Sequence, residues 1–240
     1  MLDFDRFQWI SFDCYGTLID WETGICEAIA PVLASHGIHR SRTEILSLFA
    51  DVEPRVQRAG YLEYRCVLRC VMDLIGRELG FEPTESELGC LGNSLPRWPV
   101  FPDTVDALRA LQSRFKLAVI SNVDDDLFAG TAEALGIDFE VVVTAQQVGS
   151  YKPSLGNFHA AAACMAVDTD AWLHVAESLY HDIAPANQLG IASVWVNRSN
   201  RGGGTRRVDA IPDLEVPDLA MLARKMCRRD RRPAPAPDNR

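Results

Sequence analysis

The chain has 240 residues, 48% of them hydrophobic, and a formal net charge of −9. That size suits one large domain, or a domain carrying an inserted subdomain, with a core to bury. The acidic balance argues against non-specific binding to nucleic acid, whose phosphates would be repelled, and no run reaches the roughly 18–20 apolar residues of a membrane span.

The start, MLDFDRFQWI, is acidic and lacks the basic opening and apolar run of a secretory leader. Residues 7–13, FQWISFD, read as an apolar strand ending in an acid, and CYGT follows as a tight turn with Gly16 free to take positive φ. From 22 to about 95 the periodicity is helical: Ile25, Ile29, Val32 and Leu33; then Ile45, Leu48, Phe49, Val52 and Val56; then Tyr64, Val67, Leu68, Val71, Leu74 and Ile75. Gly37, Gly60, Gly80 and Gly92 are expected near the ends of these helices.

After Pro99 and Pro102 the pattern changes. A helix over 103–114 precedes strand 116–121, one over 124–135 precedes 140–144, one over 155–166 precedes 171–176, and one over 182–189 precedes 192–197. Short Val- and Ile-rich strands alternating with helices predict an α/β fold, a doubly wound parallel sheet covered on both faces. The expected division is a core of 1–21 and 99–225, a helical cap over 22–98, and a disordered tail over 231–240. The basic cluster Arg224, Lys225, Arg228, Arg229, Arg231 and Arg232 reads as part of a solvated tail, and Gly202–Gly204 as a plain loop.

The seven cysteines are odd in number and form no CxxC, so reduced thiols in a cytoplasmic protein are the expectation. Cys66 and Cys70, four apart on one helix, have no partner pair at zinc spacing.

In a parallel sheet of this kind ligands bind beyond the carboxyl ends of the strands. The residues there are polar: Asp13; Ser121 and Asn122; the loop from Thr144 to Lys152; and Glu177 to Asp182. FDCYGTLID (12–20), ISN (120–122), YKP (151–153) and VAESLYHD (175–182) together resemble the four ordered motifs of the haloacid dehalogenase superfamily. The resemblance covers nearly the whole chain, including the place and size of the cap.

It implies a Rossmann-like core and a hydrolase in which Asp13 is a covalent nucleophile. Thr17 would hold the Asp13 carboxylate, and Ser121 would donate to the transferred group. Lys152 would offset the negative charge around Asp13. Glu177 and Asp182 form the fourth motif, which binds Mg²⁺ in phosphatases and orients the hydrolytic water in dehalogenases. Tyr15, Ser121, Asn122 and Ser178 are the expected substrate contacts. His181 is expected beside the site rather than as a base, and His174 as a satisfied core or edge residue.

Tyr15 stands where phosphatases of the superfamily carry their proton-donating acid. A phenol is a poor donor for an alkoxide, whereas a halide leaves without a proton; the form Asp-x-Tyr-Gly-Thr resembles L-2-haloacid dehalogenases. Hydrolytic dehalogenation of a small 2-haloalkanoic acid, with no cofactor, is therefore the leading expectation. Two features depart from that family. Its halide-binding arginine falls at Ala50 or Asp51, with Arg55, Arg58, Arg65 and Arg69 as substitutes, and its tyrosine after the lysine motif is Phe158. The alternatives are a Mg²⁺-dependent phosphatase on a small metabolite, with Asp13, Tyr15 and Asp182 around the metal, and a non-catalytic small-molecule-binding relative. A small molecule is the expected partner, with no nucleic acid or membrane, and an exposed cap helix would allow a homodimer.

Overall fold

The computed structural model describes residues 2–58, 60–198 and 208–227. The chain enters through β1 (Trp9–Phe12) and leaves the sheet for α1 (Trp21–Ser35), α2 (Arg42–Gln57), α3 (Tyr64–Leu79) and two short helices, α4 (Glu85–Leu88) and α5 (Cys90–Ser94). It returns through α6 (Thr104–Gln112), β2 (Lys116–Ser121), α7 (Asp125–Leu135), β3 (Val141–Thr144), α8 (Ala145–Val148), α9 (Leu155–Met165) and β4 (Trp172–Ala176). A π-type turn, Leu179–Ile183, leads into α10 (Ala184–Leu189), and β5 (Ala192–Val196), β6 (Leu214–Val216) and α11 (Leu219–Cys227) complete the described chain.

All pairings are parallel, in the order β3-β2-β1-β4-β5-β6. The connection after β1 runs toward β2 and that after β4 toward β5. The switch point thus lies between β1 and β4, and the ends of these two strands face the crevice where α/β sheets bind ligands. Alternate residues serve opposite faces: Ile10, Phe12, Val119 and Val175 join a cluster continuous with the cap helices, while Trp9, Ile120 and Trp172 pack with Phe158 on the other.

The four strands of the helix-strand alternation lie where the patterning puts them. β6, three residues long, was not anticipated, because so short a piece has no readable period. Gly80 caps α3 in the left-handed region, but Gly92 lies inside α5 rather than at a helix end. Arg224 and Lys225 are in the last turn of α11, not in a tail: Leu219, Leu222, Ala223 and Met226 give that helix a buried face. Gly202–Gly204, Arg228, Arg229, Arg231, Arg232 and the expected tail lie outside the described residues. Among the described residues no helix is long and apolar enough to cross a membrane.

The two strands of chain joining cap and core run side by side: Asp20 N donates to Pro99 O at 2.8 Å and Phe101 N to Leu18 O at 3.1 Å. A second tie lies across the crevice. Asp124 precedes α7 but leaves that helix uncapped; its buried carboxylate instead accepts the N–H groups of Tyr64 and Arg65, both at 2.8 Å, at the start of α3. Glu63, the residue before α3, makes no cap hydrogen bond of its own. A core residue thus satisfies two of the orphan donors of a cap helix. Asp124→Ala is expected to cost about 1–2 kcal/mol, read as a lower urea midpoint; an unchanged midpoint would show that the tie contributes nothing to the fold.

Candidate active site

β1 delivers Asp13 to the switch point, where Asp13 N–H donates to Val175 O of β4 at 3.1 Å. The chain then folds tightly on itself: Cys14 O accepts from Leu18 N and Ile19 N. Gly16 takes φ +102°, and a Cβ there would lie 3.2 Å from the Trp21 ring and 3.5 Å from a Glu177 oxygen, so the turn excludes a side chain. Thr17 is thereby brought under Asp13. Its hydroxyl donates to Asp13 Oδ2 at 2.7 Å and accepts from the Glu177 N–H at 2.9 Å, joining the loops that follow β1 and β4.

Lys152 reaches the same point from the loop after β3. Its Nζ has three protons and makes three hydrogen bonds: to Asp13 Oδ1 at 2.8 Å, Asp182 Oδ1 at 2.7 Å and Ile120 O at 2.7 Å. The side chain is 1% exposed. Asn122 fixes its backbone from both sides, donating to Lys152 O at 3.1 Å and accepting from Lys152 N at 2.7 Å.

Asp182 arrives through the π-type turn after β4, which Ser178 caps by accepting from His181 N at 3.0 Å. Behind Asp182 runs a buried polar chain: Trp172 Nε1 to Ser11 Oγ at 2.7 Å, Ser11 Oγ to His174 Nδ1 at 2.7 Å, and His174 Nε2 to Asp182 Oδ1 at 3.0 Å. The indole is a donor only, so Ser11 Oγ accepts from it. The Asp182 carboxylate is an acceptor only, so His174 donates to it from Nε2. A neutral imidazole with its hydrogen on Nε2 presents Nδ1 as the acceptor of the Ser11 hydroxyl. His174 is the core residue expected, but one that aims and supports a carboxylate of the site; position alone, inside a strand, gave no signal for this.

The ionisations follow from these contacts. Burial opposes the Asp182 carboxylate, but Lys152 and His174 outweigh it and hold its pKa at about 2. Burial, with the charge of Asp182, raises Asp13 against the opposing pull of Lys152 and Thr17. Lys152 is itself raised, because the two carboxylates overcome its burial. Glu177 is pushed up to about 8 by burial and by Asp13 and Asp182.

A cavity of about 540 Å³ opens over this cluster, lined by Asp13, Tyr15, Asn122, Lys152, Glu177, Ser178 and Asp182 from the core and by cap residues above. Ser121 is buried with its hydroxyl unpartnered and is not among the lining residues. The Asn122 side chain is engaged with Lys152, and Ser178 with its own turn. Tyr15 Oη meets Thr131 Oγ1 at 2.8 Å, and burial, then Cys14, drives its pKa well above 10. Of the two positions expected for the family's arginine, Ala50 lines the cavity and Asp51 is not among the lining residues. Of the substitutes only Arg58 lines it; Arg55, Arg65 and Arg69 pair with Glu78, Asp126 and Glu85 on the surface. Phe158 is fully buried, edge-on to His174 at 5.1 Å.

In the suggested Mg²⁺ set of Asp13, Tyr15 and Asp182, each Asp13 oxygen holds one hydrogen-bond donor and keeps a second lone pair, while Asp182 Oδ1 holds two donors. Asp182 Oδ2 alone is a buried acceptor without a partner. Among the described residues no three His, Cys, Asp or Glu side chains are grouped to hold a metal.

The sequence profile of the haloacid dehalogenase-like hydrolases matches residues 7–190. The chain belongs to this family. This haloacid dehalogenase-like hydrolase is 31% identical over 102 residues to haloacid dehalogenase-like hydrolase domain-containing protein 3 of Xenopus laevis, covering 42% of each chain. It is 29% identical over 126 residues to a phosphoserine phosphatase of Thermus thermophilus, covering 51% of this chain and 49% of that one. The chain thus spans about half the length, or less, of these curated relatives. A defluorinating L-2-haloacid dehalogenase shares its fold with a TM-score of 0.79 at 22% identity, over 92% of this chain and 95% of the other.

Two outcomes follow from the site's charges. His174→Phe removes a donor to Asp182 and leaves the Ser11 hydroxyl without its acceptor, which is expected to cost about 1–3 kcal/mol in urea unfolding; wild-type stability would remove the polar chain from the account. The folded pKa of Glu177 lies above its ordinary value of 4.5. Its favourable contribution is therefore complete below pH 4.5 and is lost as pH rises toward 8. Glu177→Gln, which does not titrate, should gain Tm relative to wild type between pH 5 and 8 in metal-free buffer. A constant difference across that range would contradict it.

Proposed function

We propose that this hydrolase cleaves the carbon–halogen bond of a 2-halo acid through an ester on Asp13. The observation that carries the reading is Tyr15. By the resemblance it stands where phosphatases of the superfamily protonate a leaving alkoxide, and its phenol is half-buried, bonded to Thr131 and held well above its ordinary pKa. A leaving group served by such a residue must depart as a stable anion, and a halide does. Glu177 holds a proton to about pH 8, but it lies beside Gly16 and Thr17 on the nucleophile's side, whereas displacement expels the leaving group on the opposite side.

In the first step an Asp13 oxygen attacks C2 of the acid, a carbon–oxygen bond forms and the halide leaves with the bonding pair. Lys152 and Thr17 keep the attacking carboxylate charged and aimed. In the second, a carboxylate takes a proton from water as the water oxygen attacks the ester carbonyl, polarised by Lys152; the carbon–oxygen bond to the substrate breaks, the leaving alkoxide takes up that same proton and departs as the 2-hydroxy acid, and Asp13 loses the remaining proton to solvent. Asp182 Oδ2, free of any donor, is an acceptor for that water. Glu177 lines the same cavity, and its carboxyl, pushed up to about 8, takes a proton from that water only once ionised. Arg58 is the cap cation available to the halide.

The test is halide release from 2-chloropropionate with EDTA present. Release by wild type, falling at least about 10³-fold in Asp13→Asn, is the expected result. Activity on phosphate esters that stops with EDTA would replace this reading by a metal-dependent phosphatase, the alternative raised by the Thermus relative. Turnover of neither class leaves a binding protein, and an active Asp13→Asn ends the covalent route.

A further inference from the structure

We infer that the substrate of this site carries an aryl group at its distal end, a 2-halo acid of the 3-phenylpropionate type rather than a two- or three-carbon acid. The inference rests on the reading of Asp13 above and adds the substrate class.

The cavity is too large for a short acid. Its volume of about 540 Å³ lies in the range of roughly 300–1,000 Å³ that buries a drug-sized ligand. It would hold on the order of eighteen waters at about 30 Å³ each, whereas 2-chloropropionate has six heavy atoms. Most of that space would stay wet around so small a substrate, and the reacting carbon would be loosely held.

The walls are aromatic on both sides. On one, Tyr15 meets Trp98 edge-on at 5.8 Å, and Trp21 lies 6.1 Å from Phe49. On the other, Tyr151 stands 5.4 Å from Tyr61 and 6.1 Å from Tyr64. All seven line the cavity. Six of these rings carry a polar group, and four of the six are engaged elsewhere: Tyr15 with Thr131, Tyr64 with Glu53, Tyr151 with Leu62 O and Trp98 Nε1 with Ser94. With the Tyr61 hydroxyl and the Trp21 indole N–H excepted, these rings offer a ligand hydrocarbon surface. These hydrogen bonds also hold the rings in place, so little order is lost on binding. Trp98 is fixed further by Gly24, whose missing Cβ would sit 2.2 Å from the indole ring.

The carboxylates above the catalytic level do not redirect the pocket toward a cationic ligand. Glu53 accepts from Gln57 and Tyr64, and Glu22 pairs with Arg42. An aryl ring slotted between these walls gains offset or edge-to-face contacts with several rings, each equivalent to about 2- to 12-fold in affinity.

The experiment has two arms on the intact protein. Bromide release compares 2-bromo-3-phenylpropionate with 2-bromopropionate, and calorimetry compares the unreactive 3-phenylpropionate with propionate. The expected result is a kcat/KM at least tenfold higher for the aryl substrate, a Kd at least tenfold lower for the aryl acid, and a narrowing of both ratios by threefold or more in Tyr61→Ala, whose ring is partly exposed and outside the core. Equal binding of the two acids, or faster turnover of the short one, would overturn the aryl subsite. If neither bromo acid releases bromide while 3-phenylpropionate still binds the tighter, the assigned reaction falls and the subsite stands.

Discussion

One ammonium group organises the active end of this molecule. Lys152 Nζ is bound by three acceptors that the chain brings from three strands: Asp13 beyond β1, Ile120 in β2 and Asp182 beyond β4. Two carboxylates buried this close would repel each other and take up protons without a cation between them. With it, both can be held inside the protein, and the surrounding residues have simple tasks. Asn122 locks the lysine backbone, Thr17 takes the second oxygen of Asp13, and the Trp172–Ser11–His174 chain takes Asp182 from behind.

That single charge is shared unequally, and the inequality distinguishes three acids within one pocket. Asp182, with two donors on one oxygen, is held at about 2; Asp13 is raised by burial and by Asp182; Glu177, with no cation of its own in contact, is pushed to about 8. Environments that separate the pKa values of neighbouring carboxyl groups are how one site supplies both a nucleophile and a base. Here the ammonium separates Glu177 from the two aspartates it touches, and His174 behind Asp182 separates that acid from Asp13.

The cap adds shape rather than charge. It is fastened on one side by the paired linkers at Asp20–Pro99 and on the other by Asp124 at the start of α3. Between these ties it lays aromatic rings over the carboxylates. Arg55, Arg65 and Arg69 are turned outward into surface pairs, and Arg58 is left lining the cavity.

Much of the fold was legible in the amino-acid order because its signals are local. Alternating helical and Val-rich segments dictate a parallel sheet, and residues that follow parallel strands collect at one edge, which marks Asp13 and the loops up to Lys152 and from Glu177 to Asp182; the motif resemblance singled out the individual residues there and added Thr17. Other features depend on contacts between segments far apart in sequence. Asn122 reads as a substrate contact until its amide is seen to hold Lys152. Asp124 stands only as the first residue of the expected helix 124–135, and nothing near it in sequence says that it holds the start of α3. His174 reads as an inert core residue, since nothing near it in sequence says that Ser11 and Asp182 lie on either side of its ring. The sequence alone determined which residues stand at the sheet edge, because strand order and periodicity are written residue by residue. Only the tertiary structure decided which of them touch, because a hydrogen bond between residues 11 and 174 or 64 and 124 exists only once the sheet has closed and the cap has docked.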